Sequence, residues 1–120
     1  MVNHFFGTYA IIELLMKNPQ YAKYADSGLV TLEPNRWELS SWGITRFDQK
    51  LGDVLLDSVQ STATITDDLV QDGLLFRFRH KKRNISAADA IGYMFARREG
   101  LTFLTGDIQF KDLPGVEFVK

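Results

Sequence analysis

Short apolar runs alternate along the chain with longer segments whose apolar residues recur at helical spacing. That alternation predicts an α/β fold with a mainly parallel sheet, because parallel strands need crossover connections that are usually helices. Val2 to Phe6 reads as a first strand, followed by a helix over Thr8 to Lys17 whose Ile11, Ile12, Leu14, Leu15 and Met16 suit a buried element. Asn18-Pro19 breaks that helix, a short one follows over Gln20 to Ala25, and Leu29 to Leu32 reads as a second strand. From Pro34 to about Ser61 the period is helical again. Gly43 and Gly52 interrupt it, so two helices are expected there.

Thr62 to Ile65 reads as another strand, and Thr66 supplies the N-cap of a helix running to Lys82, whose basic tail suits the helix dipole. Asn84-Ile85-Ser86 opens a helix to Glu99. Ala87, Ile91, Met94 and Phe95 form its apolar stripe, Asp89, Tyr93 and Arg97 share the opposite face, and Gly100 caps it. Leu101 to Leu104 is an apolar strand, Gly106-Asp107 begins a one-turn helix, Pro114-Gly115 turns, and Val116 to Val119 is a last strand.

Composition narrows the chemistry. At 120 residues, a single domain over 1–120 is expected. No apolar run approaches the roughly 18 residues that span a bilayer, and the start lacks a basic signal region, so a soluble, cytoplasmic chain without membrane partners is expected. There is no cysteine and there are two histidines, so any metal must rest on oxygen. Net charge is −1, yet Arg77, Arg79, Lys81, Lys82 and Arg83 place five of the 14 basic residues in one short run. Such a run fits either a polyphosphate backbone or a solvated helix end.

In open parallel sheets ligands bind at the carboxyl ends of strands. Glu38, Asp89 and Asp107 fall at such handovers, where three carboxylates would suit Mg2+ or Mn2+, whose remaining positions take water and phosphate oxygens. The competing reading is helix capping. Asn35-Arg36-Trp37-Glu38 and Ser86-Ala87-Ala88-Asp89 both fit a capping box, and Asp107 fits a simple N-cap. Thr105, two residues before Asp107, fits either an orienting hydroxyl or a turn residue bonded to its own backbone. Spacing leaves both readings open.

Phe5-Phe6-Gly7-Thr8-Tyr9-Ala10-Ile11-Ile12-Glu13, then Glu38, then Ser86-Ala87-Ala88-Asp89-Ala90-Ile91-Gly92-Tyr93, Phe103-Leu104-Thr105-Gly106-Asp107-Ile108-Gln109-Phe110 and Leu113-Pro114-Gly115-Val116-Glu117-Phe118 resemble the PIN domain family, especially its VapC-type toxins. The likeness runs through nearly the whole chain in the family's order. It implies a three-layer α/β/α sandwich with a parallel sheet of four or five strands, endoribonuclease activity dependent on Mg2+ or Mn2+, homodimers, and a cognate VapB-like antitoxin. By position, Glu38, Asp89 and Asp107 match three acids of the family's site and Thr105 its accompanying hydroxyl.

One position departs: where the family's first strand ends in aspartate, a direct metal ligand, this chain has Gly7. Glu13, six residues after Gly7, lies about 240° around the helix from it and is not expected to replace it. The resemblance therefore implies an impaired ribonuclease, silenced at one ligand. The alternative is a catalytically inactive member of the same fold that acts by binding a partner or RNA. A phosphatase built on an aspartate nucleophile is disfavoured by Gly7. A general nucleic-acid module is disfavoured by the net charge and the lack of a recognisable binding motif.

Overall fold

The computed structural model describes residues 4–61 and 63–120. Strand β1 (His4–Phe6) leads into helix α1 (Thr8–Leu15) and a 3-10 turn over Pro19–Tyr24. Helices α2 (Glu33–Arg46), α3 (Gln49–Ser58), α4 (Asp67–Arg79) and α5 (Ala87–Glu99) come next, then β2 (Thr102–Thr105), a 3-10 turn at Ile108–Phe110 and β3 (Val116–Phe118). The strands lie in the order β1-β2-β3, all parallel, with Phe5 beside Phe103 and Phe103 beside Val116. Among the described residues no helix is long and apolar enough to cross a membrane.

Side chains alternate across this sheet as the pleat requires. Phe5 and Phe103 face a core with Leu69, Ile85, Ile91 and Tyr93, under α4 and α5. Phe6 and Leu104 face the other side, with Ala10, Ile11, Tyr21, Leu39 and Leu55, under α1, α2 and α3. Helices therefore cover both faces, the layering expected of an α/β/α sandwich.

The sheet is smaller than the expected four or five strands. Leu29 to Leu32 forms one parallel bridge, Val30 beside Phe5, with Phe6 N–H donating to Val30 O at 2.8 Å. Two local events cut the strand short. The Thr31 hydroxyl donates to the carbonyl of Phe6 at 3.0 Å, and α2 begins at Glu33, so Leu32 already serves as its N-cap. At 63–65 there is likewise no strand, and Ala63 and Ile65 instead pack against the core as irregular chain. Thr62, with Val2 and Asn3 of the expected first strand, lies outside the described residues.

The two expected helices between Pro34 and Ser61 exist, but the break falls at Phe47-Asp48, where the Asp48 carboxylate caps α3 by accepting from Leu51 N–H at 2.9 Å. Gly43 and Gly52 are instead the points where the two helices touch: a Cβ on Gly52 would stand 2.3 Å from Ile44 Cγ1. Gly73 does the same for α4 against α5, where a Cβ would meet Ile91 Cα at 2.8 Å. Backbone atoms cannot step aside as a flexible side chain can, so Gly73→Ala should separate the two helices and cost about 1–3 kcal/mol. Urea unfolding is the measurement.

Helix α4 ends at Arg79, three residues earlier than expected, and residues 80–83 form a turn. Helix α5 matches its expected start and stop. The Ser86 hydroxyl accepts from Asp89 N–H at 3.1 Å, and Gly100, at φ +71°, closes a Schellman end in which Leu101 N–H donates to Ala96 O at 2.8 Å. Its expected polar face is not polar surface, however: Asp89 and Tyr93 are both buried.

Candidate functional site

Gly7 stands at the carboxyl end of β1 and Thr105 at that of β2, and the first turn of α5 lies over the same rim. Asp89, in that turn, is the centre of the site. Its Oδ1 accepts from Asn35 Nδ2 at 3.1 Å, and the backbone N–H of Thr8 donates to the same carboxyl group. Burial, reinforced by the negative charges of Glu38 and then Asp107, pushes its pKa up to about 7, against the lowering effect of those two hydrogen bonds. Asp89 is thus a buried acid within the fields of both other candidate carboxylates.

Glu38 belongs to the interior of α2 and does not return to an N-cap. Its Oε1 accepts from the Thr8 hydroxyl at 2.7 Å. The capping box expected for Asn35 and Glu38 is absent, because α2 starts at Glu33 and carries Asn35 into a fully buried position facing α1 and α5. Asp107 is a cap as well as a candidate ligand: its Oδ1 accepts from Gln109 N–H at 3.0 Å, opening the 3-10 turn. The Thr105 hydroxyl accepts from Asp107 N–H at 3.1 Å, which is the turn role. Tyr9 feels the same cluster, its phenol pushed up by burial and by Glu13 and Asp107. Glu13 itself accepts from Asn18 Nδ2 at 3.0 Å.

Two further residues belong to this rim. Thr8 ties Glu38 to α1, while Asn35 bridges the Thr8 hydroxyl and Asp89 and leaves its own Oδ1 buried without a hydrogen-bond partner among the described residues. Nothing in the spacing marks Asn35, since an asparagine at a helix start reads as a cap. Truncation in Asn35→Ala should cost about 1–3 kcal/mol, the range for leaving a buried polar partner unmet, as read by chemical denaturation.

The Gly7 position bears directly on the missing ligand. Its φ of −65° and ψ of 167° are open to any residue, and a Cβ built there would stand 3.6 Å from Asp89 Oδ1. It would also press on the ring of Phe103 at 3.0 Å. A side chain at this position starts beside the acid cluster.

Among the described residues no three His, Asp or Glu side chains group closely enough to share one ion. Mg2+ ordinarily rests on one or two carboxylates with waters filling its octahedron, so the donor chemistry of Asp89 and Asp107 fits a hard dication of low affinity.

The basic run lies at the C-terminal end of α4. Arg77 and Arg79 are in its last turn, and Lys81, Lys82 and Arg83 in the turn that follows. Two of the five are engaged with backbone: Arg77 Nε donates to Ile85 O at 2.8 Å, and Arg83 donates to Gln109 O at 2.7 Å.

No family model matches the chain. No curated protein matches it either. Among solved structures, a toxin-antitoxin complex from Klebsiella pneumoniae contains a chain that aligns with a TM-score of 0.70 at 17% identity, over 95% of this chain and 95% of that one. The crystal structure of PAE2754 from Pyrobaculum aerophilum aligns with a TM-score of 0.69 at 16% identity, over 98% of this chain and 91% of that one. The chain thus has the fold of these two structures over nearly its whole length.

Proposed function

We propose that this chain is the toxin of a toxin–antitoxin pair, a PIN-type endoribonuclease dependent on Mg2+ or Mn2+ that is impaired because Gly7 contributes no carboxylate. The observation that carries the reading is the direction of the absent side chain, since a Cβ on Gly7 would lie 3.6 Å from the buried Asp89 oxygen. The likeness to a chain of a toxin-antitoxin complex supports an antitoxin as partner. RNA as substrate and a homodimer as assembly are parts of the same proposal.

A bound dication would supply a more acidic water and a positive charge beside the scissile phosphate. Asp89 and Asp107 would hold it. Thr8 orients Glu38 by its 2.7 Å hydrogen bond, and Thr105 fixes the backbone that presents Asp107. Asn35 and the Thr8 N–H hold the Asp89 carboxyl on the rim.

The second reading, a binding protein without chemistry, is favoured by the absence of a three-carboxylate ligand set among the described residues. Cleavage of labelled single-stranded RNA in Mn2+ by this chain and by its Gly7→Asp variant separates the two. A gain on substitution supports the nuclease, and equal rates support the binding protein.

A further inference from the structure

The acid rim leaves one surface feature unused. At the end of α4 a groove of about 430 Å³ is lined by Leu74, Phe78 and Ile85 with the cations Arg77, Lys81, Lys82 and Arg83. Phe78 is 66% exposed, a large apolar ring left in water. Among the described residues none of these four cations meets a carboxylate within ion-pair distance, and no acid lines the groove.

We propose that this groove holds one unpaired base of an RNA strand against the ring of Phe78, with Lys81 and Lys82 neutralising the flanking phosphates. The proposal rests on the ribonuclease reading and names where its substrate is gripped. Three features favour this occupant.

First, an exposed aromatic ring among cations is what single-stranded nucleic acid uses: bases stack on the ring without regard to sequence, while ammonium groups follow the backbone. Lys81 Nζ lies over the Phe78 ring, 5.2 Å from its centroid, so a base stacking on that face takes the ammonium's place and moves it to the flanking phosphate. Second, of the three apolar side chains that line the groove Ile85 is buried, which leaves Leu74 and the Phe78 ring as its exposed apolar floor, room for one stacked base.

Third, the groove adjoins the acids. Asn84, on its edge, donates its N–H to the Gln109 side chain at 3.0 Å, and Gln109 N–H donates to Asp107 Oδ1 at 3.0 Å. One residue therefore connects the groove to a candidate catalytic carboxylate, and a strand leaving the Phe78 ring passes beside it. Arg77 and Arg83, fastened to Ile85 O and Gln109 O, shape the groove, which leaves the lysines to meet phosphate.

The test is fluorescence anisotropy of a short labelled oligouridine with the intact chain in EDTA, where cleavage plays no part. Phe78→Ala should weaken binding about tenfold, and Phe78→Tyr, which keeps the ring, should restore it. Replacing Lys81 and Lys82 together by alanine should lower the slope of log affinity against log salt by about 0.7 for each phosphate that no longer has its lysine. Unchanged affinity in Phe78→Ala, duplex RNA bound as tightly as the single strand, or an acidic amphipathic peptide bound in its place would each overturn the proposal. The two claims fail separately: a Gly7→Asp variant that cleaves RNA while Phe78→Ala binds normally leaves the nuclease and sinks the base groove. No cleavage together with Phe78-dependent binding does the reverse.

Discussion

Gly7→Asp should cleave single-stranded RNA in Mn2+ at least about a hundredfold faster than the chain with glycine, the scale on which losing one group that touches the reacting charge is felt. The new side chain leaves the backbone at the carboxyl end of β1, with its Cβ 3.6 Å from Asp89 Oδ1. It adds a fourth acid to a rim that already holds Glu38, Asp89 and Asp107, and more carboxylates mean stronger attraction for a dication. Asp107→Asn in the same background should remove the gain. The variant should also be less stable in EDTA, because the Phe103 ring, fully buried and 4.7 Å from the ring of Phe110, must yield to the added atom. Mn2+ should raise its melting temperature more than that of the parent chain. No gain in rate over glycine would remove the case for a missing ligand.

Asp89→Asn should stabilise the fold, and the gain should grow between about pH 4 and pH 7. In the native state the pKa of Asp89 is raised to about 7, well above the ordinary aspartate value of about 4 expected for the unfolded chain. A group raised in this way contributes fully below the unfolded value, and that contribution is lost as pH climbs from there through the folded one, because over that interval the unfolded chain has released the proton that the native state still has to hold. Asparagine keeps an oxygen to accept from Asn35 and Thr8 and removes the ionisation, so the variant should gain a few kcal/mol by pH 8 and little at pH 4. Glu117 acts oppositely. Burial pushes it up, but the hydrogen bonds from Tyr24 and His4 hold it below its usual range, so its contribution is lost toward acid. Subtracting parent from variant at each pH in urea melts cancels Glu117 and isolates Asp89. A flat difference across that window would contradict a buried, raised carboxyl.

What the order of residues makes legible is what local chemistry decides. Ser86 and Gly100 bound α5 as expected because a hydroxyl cap and a left-handed glycine act within one turn. The parallel order follows from the alternation of apolar runs and helical segments. Leu29 to Leu32 has the composition of a strand and fails to be one because a Thr31 hydroxyl binds a neighbour's carbonyl and α2 starts early, both tertiary outcomes. Asn35 is hidden for a related reason: its role comes from α1 and α5, elements distant in sequence. Asp89 stands out as a candidate from its place at a handover, but its burial is not legible, since the i, i+4 spacing to Tyr93 is that of a wet face as readily as a dry one. Phe78 is unmarked because exposure has no signature in the order of residues.

The parallel pairing of β1 with β2 also governs the order in which the chain can assemble. His4 waits for Thr102, and until the ribosome has delivered that strand, β1 has only the single bridge at Val30. The α2–α3 and α4–α5 hairpins are local and can form early, whereas the sheet closes late and at a high loop-closure cost. Asp107 follows all of them in the chain, so the acid rim is incomplete until that segment has joined the fold. Any chemistry of that rim therefore has to wait until β1 and β2 have paired.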